Sequence, residues 1–572
     1  MERMASSQAV PLTGIQLQLI QPARPPASPP SVEAKGAVFT KPWVVDLILD
    51  LAGYTSDKNL VDLIAMEPAA GDGAFLGPMI ERLVDSCQRL NRPLSDCTKS
   101  LVAFELDNTN AVKSRAIARE VLLRRGADPV LADRLPSLWI KSGDYLLDTM
   151  NLEADFVIGN PPYVRLEDIP EETAAQYRDI YQTMRGRADL YIGFFEAALR
   201  QLKPGGVCAY ICADRWMRNQ YGSELRRLIT SSFAVDVVIE MHNADAFHEE
   251  VDAYPAIAVI RRQIQTSSIV ARAGLDAAQA NPQELSRALE ACRENQLVAL
   301  PRGLSMARVD SWFKGADPWP CTSPEQLALL RRIEDRFAAL ETSAKVGIGV
   351  ATGNDRIFIT KDAGLVEPSR LLKLALAGDL ANGRMVWSGH YLVNPWDEKG
   401  LVSLDEFPGL RSYFGIHAVA LRNRHVARNA SHAWYKTIDR VNHALTTQPK
   451  LYIPDIKNTL SPVLDHCETY PHHNLYFIQS DVWDLEALGA LLMSAIGQFF
   501  VESYGVRMRG GYLRFQAQYL RRVRLPNPDS LSANQTQELR EAFRARDKDH
   551  ATNLALKIYQ IERSELERAF GH

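Results

Sequence analysis

The 572-residue sequence has no apolar run of the roughly 18–20 residues that a membrane-spanning helix needs, and no basic stretch followed by an apolar one at its start. No membrane association and no secretory route are therefore expected. Paired cysteines are missing too: the seven present are an odd number, scattered without a Cys-x-x-Cys. That speaks against a disulfide framework and for a reducing compartment, the cytoplasm. Positive charge is not in excess, since the formal net charge is −4, which excludes an all-over basic nucleic-acid binder but leaves room for a local basic face. The length is ample for two to four domains.

What the sequence does contain is organised around Asp155-Phe156-Val157-Ile158-Gly159-Asn160-Pro161-Pro162-Tyr163. Phe156 to Ile158 reads as a short buried strand running into a stiff loop. Two consecutive prolines fix two φ angles at about −65° and remove two backbone donors. The residue before a proline is also pushed out of the helical region. The loop thus presents the Asn160 amide, the Pro161 carbonyl and the Tyr163 ring together. Two acceptors side by side suit a planar amino group with two N–H donors, and a tyrosine face suits a flat base. On these four residues alone, a mere loop punctuator is an equal reading. The rest of the chain decides between them.

Residues 1–35 are rich in Pro, Ala, Ser and Gln and predict a disordered segment, too short for a catalytic domain. Thr40 and Pro42 read as the start of a helix over 43–51. Residues 60–66 are a strand candidate ending in Glu67-Pro68-Ala69-Ala70-Gly71-Asp72-Gly73. A helix follows, with Phe75, Leu76, Met79, Ile80, Leu83, Val84 and Cys87 on one face. Strand, Gly-x-Gly turn and helix make the first unit of a doubly wound α/β fold, where glycine lets backbone approach a ligand. Glu67, directly before the turn, can hold an ammonium group. A second strand over 100–104 ends at Glu105, where an acid accepts from ribose hydroxyls. A third, over 139–141, leads to Asp144, which can accept from an adenine amino group.

After the Asn160 loop, Asp189 and Tyr191 start a helix through Phe194, and 207–213 is a strand with Cys208 and Cys212 on one core-facing side. Residues 235–241 and 256–260 read as a closing strand pair, with Phe247 an aromatic in the polar loop between them. Glu67, Glu105, Asp144 and Asn160 all fall at the carboxyl ends of strands, where ligands bind in such sheets.

This order of segments resembles the gamma-class N6-adenine-specific DNA methyltransferases of restriction–modification systems, the Taq-type methylases with a C-terminal target-recognition domain. The resemblance covers about residues 36–262 by motif; Phe39-Thr40-Lys41-Pro42 carries one residue more than the family's Phe/Tyr-Thr-Pro. It implies a Rossmann-like domain that uses S-adenosyl-L-methionine as methyl donor, followed by an α+β target-recognition domain. It further implies that Thr40, Glu67, Ala69, Gly71, Gly73, Glu105, Asp144 and Phe194 contact the cofactor. Asn160, Pro161 and Tyr163 would form the catalytic pocket, with Phe247 a second stacking aromatic and no metal. The substrate would be double-stranded DNA, with the target base flipped out, and the enzyme a monomer acting beside a separate restriction endonuclease. Methylation of the cytosine amino group, of RNA or of a protein glutamine are alternatives on the same loop.

The expected layout is a disordered segment over 1–35, a catalytic domain over 36–265, a connecting region over 266–340, and a target-recognition domain over 341–572 with one C-terminal helix near 537–570. Val346 to Asp355 resembles the opening of a Taq-type recognition domain, or is a glycine-rich turn. Two basic runs point to a phosphate-binding surface. One holds Arg422, Arg424, Arg428, Lys436, Arg440 and Lys450; the other holds Arg507, Arg509, Arg514, Arg521, Arg522 and Arg524. Trp434, Tyr435, Tyr504, Tyr512, Phe515 and Tyr519 are interleaved with them.

Overall fold

The computed structural model describes residues 39–148, 152–248, 254–274, 276–277, 282–294, 296, 299–310, 312–320, 322–428, 430–466, 468–505 and 512–570. The segment expected to be disordered lies outside them.

Two-residue alternation builds the amino-terminal half. Strands β1 (Ala65–Glu67), β2 (Leu101–Glu105), β3 (Ile140–Ser142), β4 (Ala154–Gly159), β5 (Leu202–Ala213), β6 (Ala234–Glu240), β7 (Pro255–Arg261), β8 (Ser267–Ala273) and β9 (Leu304–Asp310) form one sheet. Along β5, Val207, Ala209 and Ile211 enter one core while Cys208, Tyr210 and Cys212 enter the other. Apolar residues on both faces mean both faces are covered. Helices α1 (Pro42–Ala52), α2 (Leu76–Arg89), α3 (Asn108–Arg124) and α4 (Pro129–Trp139) cover the first face; α5 (Glu171–Ile180) and α6 (Tyr191–Gln201) cover the second.

The strand order is β3-β2-β1-β4-β5-β7-β6-β8-β9. Neighbours from β3 to β5 are parallel, and β7 runs antiparallel between β5 and β6. The order reverses between β1 and β4, which opens a crevice at their carboxyl ends.

Four expectations need correction. The apolar run over 60–66 does not extend as one strand: Leu60–Asp62 is a 3-10 turn, held by the Ser86 hydroxyl on the Leu60 amide, and β1 keeps three residues. Thr40 does not cap α1, which starts on Pro42 with no side-chain cap. The sheet does not stop at residue 265, because β8 pairs in parallel with β6 and β9 closes the edge. The last helix is three, Ala533–Ala545, Lys548–Tyr559 and Arg563–Phe570, the first two ending at Arg546 and Gln560 with φ of +57° and +55°.

In the carboxyl-terminal half, Lys345–Ile348, Leu475–Gln479, Lys450–Pro454 and Val463–Asp465 form a four-stranded sheet in that order. The helices Leu485–Met493 and Ala495–Tyr504 lie buried in the core beside it. No single described helix is long and apolar enough to cross a membrane. Inside this half Lys450, 0% exposed, bonds to Asp465 at 2.7 Å, and Thr469 donates to the same carboxylate at 2.9 Å. Removing one partner of such a pair strands a buried charge. Lys450→Met is expected to lower unfolding stability by about 3–5 kcal/mol. The double variant Lys450→Met/Asp465→Leu should recover most of that, as read from urea midpoints; equal loss in both would refute the pairing.

Candidate active site

The two strands that flank the crevice each deliver one polar group to it. Glu67 ends β1, is 1% exposed, and its Oε2 has no hydrogen-bond partner among the described residues. Burial pushes its carboxyl well above the ordinary 4.5, and the nearby Asp72 and Glu105 push it further. A buried, unmatched acid among acids is a site for a cation. The turn after it needs its glycines: Gly71 and Gly73 have φ of +53° and +83°. Ala70 donates to the Phe104 carbonyl at 2.8 Å and Ser114 to the Gly71 carbonyl at 2.9 Å, tying the turn to β2 and α3. Ala69 is half-buried against the second core.

Glu105, at the end of β2, accepts from the Gly71 amide at 2.7 Å through one oxygen and from the Asp107 amide at 2.9 Å through the other. It therefore shapes the glycine turn as well as facing the crevice end of the sheet. Asp107 caps α3. Leu106 between them is 61% exposed, an apolar surface at the strand end that the acid-centred sequence reading passed over. Asp144 accepts from the Leu146 amide at 2.9 Å and from the Tyr177 hydroxyl. Phe194 is buried with its ring against Tyr145, centroids 5.2 Å apart, so it backs the Asp144 turn from within the core.

At the end of β4 the Pro-Pro loop carries Asn160, half-buried, and Pro161, buried. Asn160 Nδ2 donates to Thr40 Oγ1 at 3.2 Å. Thr40 in turn pairs as a β-bridge with Phe247, flanked by the Lys41 amide on the Ala246 carbonyl (2.9 Å) and the His248 amide on the Phe39 carbonyl (3.0 Å). Lys41 also ion-pairs with Asp245, and the Trp43 indole donates to the Asp245 carbonyl at 3.1 Å. Three pieces far apart in sequence, carrying Thr40, Asn160 and Phe247, are thus one junction. Tyr163 is half-buried, edge-on to Tyr191, and burial pushes its phenol well up, so it is neutral.

On its Phe247 side the junction borders a cleft of about 1870 Å³ lined by residues of both halves of the chain. Phe247 and Tyr221 line it, with Lys41, Arg165, Arg185, Arg187 and Arg215 on the amino-terminal side and Arg514 and Arg521 on the other. The amino-terminal arginines were missed from sequence because they are dispersed and form no run. Of the runs that did stand out, Arg422, Arg428, Arg440 and Arg514 are exposed, while others turn inward. Lys450 is buried; Arg424 donates to the carbonyls of Thr352, Trp434 and Lys436; Arg522 pairs with Asp317 over the Tyr504 ring. Tyr504, Phe515 and Tyr519 are core residues, while Arg507 and Arg509 lie outside the described residues. In the glycine-rich turn, Asp355 bonds to His472 at 3.2 Å, and that hydrogen bond holds its carboxyl at about 2.

Residues 131–247 match the family model of the Eco57I restriction-modification methylase. The chain is 42% identical to the type II methyltransferase M.PaeR7I of Pseudomonas aeruginosa over 553 residues, 93% of each chain. The chain belongs to the type II restriction–modification methyltransferases. M.BstVI of Geobacillus stearothermophilus is 38% identical over 94% of this methyltransferase and 98% of its own length. Among solved structures, the type IIL restriction-modification enzyme MmeI in complex with DNA aligns with 92% of this chain and 73% of its own, with a TM-score of 0.54 at 13% identity, a likeness of fold alone.

For this methyltransferase the raised Glu67 carboxyl has a consequence with a definite sign. The folded, cofactor-free protein binds the Glu67 proton more tightly than the unfolded chain does. Stability is therefore lost as pH rises above the ordinary 4.5 toward the raised value. Glu67→Gln is expected to raise the melting temperature of the free protein at neutral pH and to flatten its fall between acid and neutral pH. Scanning calorimetry at several pH values measures both; a variant less stable than wild type at neutral pH would contradict the assignment.

Proposed function

We propose that this methyltransferase moves a methyl group from S-adenosyl-L-methionine to the exocyclic amino group of adenine in duplex DNA, as the modification enzyme beside a separate restriction endonuclease. The observation that carries the reading is the pairing, across the β1/β4 crevice, of an unmatched buried acid with the proline-stiffened Asn160 loop. An acid suits the cofactor's ammonium, and the amide and carbonyl of Asn160 and Pro161 suit a substrate amine. These donors and acceptors fit the cofactor: Glu67 would take the ammonium, the turn of Ala69, Gly71 and Gly73 would let the chain approach it, Glu105 would take ribose hydroxyls and Asp144 the adenine amine, with Thr40 in the wall and Phe194 supporting it from the core. When bound, the cofactor supplies an electrophilic sulfonium methyl.

The chain's own residues do the rest. Adenine's amino lone pair is delocalised into the ring, and the Asn160 amide oxygen and Pro161 carbonyl, by accepting both N–H bonds, favour a pyramidal nitrogen. Asn160 is neutral; it orients and polarises and does not act as a strong base. Orientation against an already activated donor supplies most of the rate. A paired base is out of reach, so the target leaves the stack and is held between the faces of Tyr163 and Phe247. The cleft arginines hold phosphates, which position the duplex without reading sequence.

Asn160→Ala is expected to abolish transfer, by at least about a hundredfold, while cofactor binding is retained. Single-turnover methylation and calorimetry on one preparation test this, and normal transfer would sink the assignment. Replacing Arg165, Arg185 and Arg187 by alanine should weaken binding to all duplexes alike and reduce the log–log salt slope by about 0.9 for each lost phosphate contact. Affinity measured at several salt concentrations decides it; an unchanged slope would move the duplex off this wall.

A further inference from the structure

Behind the Tyr163 ring runs a line of hydroxyl groups with a fixed direction. Tyr191 meets Tyr163 edge-on, with centroids 6.3 Å apart and planes at 85°. The Tyr191 and Tyr221 hydroxyl oxygens are 2.8 Å apart, and Tyr221 donates to Asp189 Oδ2 at 2.9 Å. Tyr221 has one proton and gives it to the carboxylate, so Tyr191 must donate to the Tyr221 oxygen. The line therefore runs from Tyr191 through Tyr221 to Asp189.

Its two ends are anchored to the parts that matter. Asp189 sits on the segment paired with the exit of the Pro-Pro-Tyr loop: Arg165 faces Asp189 in a β-bridge, the Leu190 amide bonds to the Val164 carbonyl at 2.7 Å, and the Leu166 amide to the Ala188 carbonyl at 3.0 Å. Tyr221 lines the cleft. Tyr191 is 1% exposed, and a phenylalanine would fill the same space with no buried hydroxyl to satisfy. The hydroxyl adds a fixed ring orientation that packing alone does not supply. Burial pushes the Tyr191 and Tyr221 phenols upward, so both keep the protons the line needs.

We propose that Asp189, Tyr221 and Tyr191 are positioning residues that lock the Tyr191 ring, and through the perpendicular contact between the two rings the Tyr163 ring, in the orientation that stacks on the extruded target base. This rests on the reading that Tyr163 stacks on that base. Edge-to-face contact is directional, because the positive edge of one ring meets the negative face of the other. A free Tyr191 ring would still pack but would no longer fix the angle. The loss should fall on the transfer step and leave substrate binding in place.

The test is single-turnover methylation of duplex DNA under saturating cofactor, with equilibrium affinities for cofactor and duplex measured on the same proteins. Tyr221→Phe and Asp189→Ala are each expected to slow transfer about tenfold with both affinities unchanged. Asp189→Asn, which keeps an acceptor oxygen, should restore most of the rate. In a Tyr163→Ala background, Tyr221→Phe should have no further effect, since coupled residues are not additive. An equal slowing by Tyr221→Phe with and without Tyr163, or Asp189→Asn as slow as Asp189→Ala, overturns the relay while leaving the site reading intact. A Tyr163→Ala enzyme that transfers at the wild-type rate overturns the stacking reading itself, and the relay with it.

Discussion

The reversal of strand order between β1 and β4 is the constraint on which the site depends. Chain leaving β1 passes to one face and chain leaving β4 to the other, the arrangement that opens a crevice above carboxyl strand ends. Glu67 and Asn160 stand at those two ends: Met66 lies beside Val157 in the register, Glu67 is the next residue of β1, and Asn160 directly follows Gly159, the last residue of β4. Their separation is therefore set by sheet spacing and not by a flexible loop. The prolines after Asn160 carry that rigidity outward, and the glycine turn after Glu67 is fixed by its hydrogen bonds to Glu105, Phe104 and Ser114.

The second requirement is that an aromatic from outside the sheet's switch point be brought to it. Phe247 comes after β6, and Thr40 precedes α1. Backbone pairing of 39–41 with 246–248 makes a short two-stranded clasp, and Asn160 donates into it at Thr40. The Lys41–Asp245 ion pair is partly solvated and contributes little alone. The clasp is held chiefly by its backbone hydrogen bonds, which place Phe247 whatever the surrounding side chains are. A threonine is well chosen at this point: its hydroxyl accepts from the amide while its backbone completes the bridge.

What could be read from sequence followed from periodicity and from residues with unusual backbone demands. Short apolar runs located β2 to within a residue and the centre of β4, which starts two residues earlier at Ala154, and the glycine and proline motifs located both walls of the crevice. β8 and β9 were not legible, because β9 is an edge strand with a mixed burial pattern and neither carries a motif. Thr40 looked like a helix cap because the local residues permit it; only a contact 120 positions away assigns its hydroxyl elsewhere. The basic runs divide between inward and outward side chains for a related reason. Composition counts charges but does not say where a long side chain ends. Arg424 ends on four backbone carbonyls and Lys450 on a buried carboxylate, whereas Arg514 and Arg521 of the second run line the cleft together with Arg165, Arg185, Arg187 and Arg215 from outside either run.

The distribution of charge then explains how a chain with net charge −4 is suited to a polyanion. Acids gather at the strand ends: Glu67, Asp72 and Glu105 are close enough to raise the Glu67 carboxyl. Bases gather on the cleft walls, at Arg165, Arg185, Arg187, Arg514 and Arg521. A phosphate is drawn to the cleft arginines and a cation to the acids at the strand ends, which stand apart from the residues that line the cleft. This is why the net charge carries so little information about what the cleft binds.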